Sequence, residues 1–186
     1  MLNIAVVIGS TRPGRKGEAV ARWVLSEAQK RQDARFELVD IQAFNLPLLD
    51  EPEPPSTGHY TRDHTKAWSA AIARFDAFLF VTAEYNHGIP AALKNALDFL
   101  YREWNGKAAG LVAYGGIGGA RAIEQLRLVM AELQLTVVRD QVMLSLRNDF
   151  ENFSVLKPLP YQEKAVATVV DQVIAVGTAL KPLRKA

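Results

Sequence analysis

Apolar residues arrive in two rhythms along this chain, short unbroken runs and longer stretches spaced at helical intervals. Ile4 to Ile8 is a continuous apolar run and predicts a buried strand. A polar loop to Lys16 follows, then helical spacing from Gly17 to about Arg31. Arg35 to Asp40 alternates as a second strand. The segment NLPLLDEPEPPSTGHYTRD has four clustered prolines, which forbid a continuous helix or ladder. A helix around Thr65 to Arg74 leads into a third apolar strand, Ala77 to Thr82. A helix from Pro90 leads into a fourth, Ala108 to Tyr114, and a helix over Ala120 to Leu133 follows. A weaker fifth strand is expected near Thr136 to Val142. After a variable stretch, Val166, Val169, Val170, Val173 and Ile174 mark a last helix.

Five strands alternating with five helices predict an α/β fold with both sheet faces covered. The economical arrangement is a flavodoxin-like doubly wound five-stranded parallel sheet of order 2-1-3-4-5. Right-handed crossovers then place the first and last helices on one face and the middle three on the other. One domain spanning residues 1–186 is expected. Ligands of such sheets sit at the carboxyl ends of the strands, where the order reverses between strands one and three.

Three loops converge on that position. The first, GSTRPGRKG (Gly9 to Gly17), leaves a strand and enters a helix, whose free N–H groups and dipole favour an anion. Ser10 and Thr11 add hydroxyls, and Arg12, Arg15 and Lys16 add charge, so a phosphate is the simplest guest. A dinucleotide fingerprint is not met, because Ser10-Thr11 stand where its second glycine belongs. A Walker loop is not met either, because Lys16 is followed by Gly17 rather than a hydroxyl. The second loop holds Glu84, Tyr85, Asn86, His87 and Gly88 between strand and helix, and Gly88 or Ile89 is expected to make the turn. Its peptide groups suit the rim of a planar heterocycle, and Tyr85 offers a stacking face. The third loop, YGGIGGARA (Tyr114 to Ala122), has four glycines in five residues, where something flat can lie against backbone. Each loop alone also fits a solvated turn; together they argue for one site.

Composition adds boundaries to this picture. The chain has 186 residues, 49% hydrophobic and 23% charged, with no cysteine. Disulfides, zinc thiolates and thiol catalysis are thereby excluded, and a cytoplasmic location is expected. No apolar run looks long enough to cross a membrane, and no membrane partner is expected. The net charge is +2 and the sequence pI about 8.9, with basic residues scattered rather than clustered, which argues against nucleic acid. His59 and His64 have no metal-ligand spacing, and no metal is expected. Ala92, Leu93, Ala96, Leu97, Phe99, Leu100 and Trp104 cover about 160° of a helix at 100° per residue, an arc wide enough to face a partner as well as the sheet.

From IAVVIGSTRPGRKG through EYNHGIPAALKNALDFL to YGGIGGARA, the sequence resembles the NADPH-dependent FMN reductase family, which includes quinone, chromate and azo-dye reductases. The resemblance implies FMN as cofactor and NADPH or NADH as co-substrate. It implies that Ser10, Arg12 and the Arg15-Lys16-Gly17 turn hold the FMN phosphate. Glu84, Tyr85, Asn86 and His87 would line the isoalloxazine, and Gly115, Gly116 and Ile117 would meet its pyrimidine side. It implies hydride transfer from the nicotinamide and onward transfer to a flat small-molecule acceptor, with no side chain as acid or base. A homodimer or homotetramer would complete the flavin pocket. Many family members have Ser and Asn where this chain has Arg15 and Gly17, and Pro in place of Ala83. The alternatives are a flavodoxin-type electron carrier and a flavin-based redox-sensing module.

Overall fold

A computed structural model describes residues 1–184. Its elements run β1 (Leu2–Ile8), α1 (Gly17–Ala28), β2 (Ala34–Asp40), α2 (Asp63–Ala73), β3 (Ala77–Ala83) and α3 (Ala91–Asp98). They continue with β4 (Lys107–Gly115), α4 (Ala120–Glu132), β5 (Leu135–Ser145), a short hairpin of β6 (Phe150–Glu151) and β7 (Val155–Leu156), and α5 (Tyr161–Leu180). The main sheet is parallel in the order β2-β1-β3-β4-β5, as the alternation of elements predicts.

The period-2 geometry of a strand divides β1 between two cores. Ile4, Val6 and Ile8 face α1 and α5, packing with Val20, Val24, Val166, Val169 and Val173. Ala5 and Val7 face the side of α2, α3 and α4, with Trp68, Phe78, Leu93, Trp104, Leu126 and Met130. Trp68 and Trp104 are buried, and each spends its indole N–H on a carbonyl: Trp68 on Ala96 O at 2.8 Å, Trp104 on Leu97 O at 3.2 Å. Every residue of β3 and β4 is buried, so their unbroken apolar runs are the signature of strands covered on both faces.

The structure differs from expectation in identifiable places. Helix α1 stops at Ala28 and α3 at Asp98, each followed by turns. Phe99, Leu100 and Trp104 therefore do not lie on α3; they are buried within the chain's own core. The wide apolar arc is a core feature and does not speak for a partner. Strand β5 is longer than expected, because its pairing with β4 jumps from Ala109↔Val137 to Leu111↔Gln141, which leaves two extra β5 residues opposite Gly110. Such a bulge breaks the alternation that a sequence reading needs. The β6–β7 hairpin turns through Asn152 and Phe153, both with positive φ. Finally, one stretch around α5, Pro160–Leu183, is long and apolar enough to cross a membrane by length and composition, with a mean hydropathy of 1.3. This corrects the reading that no such run exists; Val166, Val169, Val170 and Val173 of this helix pack on the sheet.

The proline-rich connection is laced together rather than bare. Glu51 accepts hydrogen bonds from Thr61 N, Thr61 Oγ1 and Arg62 N, closing the loop onto the start of α2. Asn95 of α3 donates to Pro47 O at 2.6 Å and accepts from Leu49 N at 3.0 Å. Leu46 packs against the core, but Leu48 is 83% exposed.

Candidate active site

At the carboxyl ends of β1, β3 and β4 lies a cavity of about 210 Å3, framed by Arg12 to Lys16, Ala83 to Tyr85, Tyr114, Gly115 and Leu146. It brings together the three loops. Gly9, the first residue after β1, donates to Val81 O at 2.8 Å; a Cβ on it would meet that oxygen at 2.8 Å, so the tight exit from the strand requires glycine.

The cations of the first loop divide into two kinds. Arg15 is braced: its guanidinium donates to Ser10 O at 2.6 Å and Asp40 Oδ1 at 2.8 Å, with a second bond to Asp40 Oδ2. It lines the cavity, yet its charge is already answered by the end of β2. Of the three cations in this loop, Arg12 and Lys16 make no ion pair among the described residues, whereas Arg15 does. Lys16 occupies the N-cap of α1, and Gly17 is the first residue of that helix.

Beneath them sits Tyr114, which the sequence reading placed at a strand end and assigned no role. It is 5% exposed, and its hydroxyl is buried without a hydrogen-bond partner among the described residues. A Cβ on Gly17 would lie 2.9 Å from that hydroxyl, so glycine keeps the space above it open. Burial pushes the phenol well above its ordinary pKa and Tyr85 adds to the rise. Gly17 N–H and Ser10 oppose it without completing a hydrogen bond. Tyr114 is thus a neutral donor held at the start of a helix. Among buried polar groups such an orphan is rare, and at a helix N-terminus flanked by two unpaired cations it suits a phosphate oxygen. A helical register would have shown nothing of this; the only sequence signal is a tyrosine ending an otherwise aliphatic strand.

Ser10 is 1% exposed and its hydroxyl lies 2.9 Å from Tyr85 Oη, which ties the first loop to the second. The Arg12 guanidinium lies 5.9 Å from the Tyr85 ring centroid. The second loop then reverses in a two-residue hairpin: Tyr85 and Gly88 exchange backbone bonds of 2.9 and 3.0 Å across Asn86 and His87, whose φ angles are 48° and 69°. Positive φ at both central residues is the type I′ turn. The turn is therefore made by Asn86-His87 rather than by Gly88 or Ile89, and Pro90 stands at the N-cap of α3 with extended ψ instead of inside its first turn.

Glu84 is the most committed of the expected residues. Its carboxylate accepts from Arg121 N at 3.1 Å and Arg121 Nε at 2.7 Å, and more distantly from Ala122 N at 3.4 Å. It fills the start of α4, where a carboxylate answers both free N–H groups and the helix dipole. Burial works to raise its pKa, but the Arg121 hydrogen bond and the α4 N–H groups outweigh this and hold it below the usual range. Arg121 also reaches His87 Nε2 at 2.6 Å; a guanidinium only donates, so that ring nitrogen accepts. Glu84 and His87 thus fix the shape of the rim through Arg121. In the third loop Gly115 lines the cavity and is buried, and Gly116 and Ile117 beyond it are exposed, Ile117 by 58%. Gly118 and Gly119 have φ near +76° and +77°, which returns the chain into α4.

Residues 2–149 match the family model described as NADPH-dependent FMN reductase. The chain belongs to that family. It is 40% identical over 185 residues to an NAD(P)H-dependent FMN reductase of Schizosaccharomyces pombe, covering 98% of this chain and 86% of the relative. It is 35% identical over 149 residues to a 2-hydroxy-1,4-benzoquinone reductase of a Burkholderia species, covering 76% and 77% of the two chains. Among solved structures it shares its fold with a flavoenzyme NAD(P)H:(acceptor) oxidoreductase of Paracoccus denitrificans, at a TM-score of 0.74 and 21% identity over 94% of this chain and 98% of that one. An FMN reductase of this family is an oxidoreductase that works with FMN and NAD(P)H, and the cleft fits that cofactor. An anionic group there would face Arg12, Lys16, the α1 N-terminus and the Tyr114 hydroxyl.

Proposed function

We propose that this FMN reductase passes electrons from NADPH or NADH to quinones and related flat acceptors, free flavin among them, at the Tyr85, Asn86 and Ile117 rim. The observation that carries the reading is the cavity at α1, with its unpaired Arg12 and Lys16, its orphan Tyr114 hydroxyl, and Tyr85 and Gly115 on its wall. FMN, when bound, supplies the ring that accepts and donates hydride. The rest is work for the chain. Arg12 and Lys16 neutralise the phosphate, and Tyr114 donates to it as an uncharged group. Arg15 and Asp40 hold the loop that presents these donors. The Asn86-His87 turn and the main chain of Gly115, Gly116 and Ile117 offer preorganised peptide groups along the ring edge. Glu84 is neutralised by Arg121, so no side chain is assigned as a proton donor or acceptor.

A 210 Å3 cavity is smaller than the roughly 300–1,000 Å3 of ordinary ligand pockets. It suits the phosphate end of the cofactor and leaves the ring against the open rim. The exposed Ile117 and Leu48 then favour a homodimer or homotetramer in which a second subunit closes the flavin pocket. We propose a cytoplasmic enzyme with small-molecule acceptors and neither nucleic-acid nor membrane partners.

The test is steady-state oxidation of NADPH and NADH by FMN-loaded protein with 1,4-benzoquinone. Parallel double-reciprocal lines are expected, since nicotinamide and quinone use one face in turn. Tight FMN binding without quinone turnover would instead favour an electron carrier. Protein that stays colourless after addition of FMN would overturn the reading.

A further inference from the structure

At the opposite end of the sheet, where the strands begin, lies a second cavity of about 770 Å3. Lys107, the first residue of β4, lines it and is only 6% exposed. Its position is some eight residues of strand from Gly115, about 26 Å at 3.3 Å per residue, so this cavity is separate from the flavin cleft.

Lysine is rarely buried unless paired, and a buried charge without a partner is costly. Among the described residues the ammonium donates only to Ile72 O at 3.4 Å and Ala73 O at 3.3 Å, both long, and it lies 5.5 Å from the Phe78 ring centroid. No carboxylate of the described residues pairs with it. Asp76 is taken by Lys181 at 2.9 Å, Arg184 at 2.6 Å and Asn3 N at 2.9 Å. Glu103 accepts from Tyr60 Oη at 2.9 Å and Ser69 Oγ at 2.5 Å. The cavity wall itself carries Arg102, Lys107, Lys181 and Arg184 against Glu103 alone, and Leu180 and Leu183 give it an apolar side. Leu183, 74% exposed, forms a lip.

We propose that this cavity is a second ligand site that takes an organic carboxylate with an apolar body, its carboxylate on Lys107 and its body on Leu180 and Leu183. Arg102 supports the anion: its Nε donates weakly to Ser56 O at 3.3 Å, and its terminal amines have no ion pair among the described residues. A phosphate would satisfy the charge but would lose water against two leucines for no return. Burial lowers the Lys107 pKa to about 8; Arg184 adds to the fall, and Asp76 and Glu103 oppose it. An anion favours the charged lysine, so affinity falls as pH rises through about 8. Arg102, Lys181, Arg184 and Glu103 are the other charged groups on the wall.

Isothermal titration of FMN-loaded protein with benzoate tests this, with benzyl alcohol and inorganic phosphate as comparators. One benzoate per chain is expected at pH 7, about tenfold weaker at pH 9 because Lys107 is then largely neutral. Lys107→Met should abolish binding with the FMN content unchanged. Arg102→Ala should weaken it, and covers the case in which Lys107→Met fails to fold. Absence of benzoate binding, retention of it in Lys107→Met, or phosphate or benzyl alcohol binding as tightly as benzoate would each overturn the proposal.

Discussion

Replacing Tyr114 with phenylalanine should move the empty and the FMN-loaded protein in opposite directions. In the empty protein the hydroxyl is buried without a partner, and an unsatisfied buried polar group costs about 1–3 kcal/mol. Phenylalanine removes that cost and keeps the ring, which packs 6.3 Å from Phe150 between centroids. The apoprotein should therefore gain stability, about 2–4 °C in Tm for each kcal/mol in a chain of this size. With FMN bound, the lost bond is one to a charged phosphate, worth about 1.5–3 kcal/mol. Affinity should fall about 10- to 150-fold, at roughly 1.4 kcal/mol per factor of ten. Differential scanning calorimetry of apoprotein measures the first effect, and fluorescence titration with FMN and riboflavin the second. Riboflavin lacks the phosphate, so its affinity should not change. Equal losses for both flavins, or an apoprotein that melts lower, would refute the placement of the hydroxyl at the phosphate.

Three other changes probe neighbouring parts. Arg12→Ala should weaken FMN by a similar factor with the apoprotein's Tm unmoved, whereas Arg15→Ala should lower Tm and FMN affinity together, because it strands Asp40 and frees the Ser10 carbonyl; identical behaviour of the two variants would contradict the division between free and braced cations. Gly119→Ala places a Cβ 2.6 Å from Ala113 Cβ at a φ of +77°, and should cost about 2–5 kcal/mol by chemical denaturation, from left-handed strain and overpacking combined; a neutral result would show that the third loop relaxes freely. Glu51 has its pKa lowered from 4.5 to about 2: burial alone would raise it, but the Thr61 and Arg62 N–H groups prevail. The stability it contributes is complete above pH 4.5 and is lost as pH falls towards 2, so Glu51→Gln should flatten that part of the acid unfolding curve, and an unchanged acid limb would remove the loop-closing role.

The sheet order, both helical faces and the meeting of three loops are legible in the sequence because they rest on periodicity and on the fixed hand of crossovers. What is not legible depends on pairs far apart in the chain. That Asp40, 25 residues away, braces Arg15 cannot be read from the first loop itself. That Glu84 also accepts from the start of α4 cannot be read from the second loop itself. The Asn86-His87 turn is missed because Gly88 and Pro90 are stronger punctuation than two residues with only a modest tolerance for positive φ. Trp104 reads as part of a partner-facing arc because a helical wheel assumes a helix that stops at Asp98. Tyr114 is missed because an unpaired hydroxyl is a property of its surroundings, not of its neighbours in sequence.

The Glu84 carboxylate at α4 has a consequence for how long a nicotinamide can stay. Of the helices that begin at the cleft, α4 already has its anion, supplied permanently by the chain. A pyrophosphate arriving over the Gly116 and Ile117 rim would find that berth taken, and under the proposed function the α1 berth goes to the phosphate of FMN. The dinucleotide then has contact through its nicotinamide and little hold on its tail. Its expected visit is short, with rapid dissociation of the oxidised form and a Michaelis constant set by encounter rather than by tight capture. Such a visitor vacates the face quickly for the acceptor that follows it, and a chain with Gln at position 84 would trade that quick turnover for a longer-lived complex.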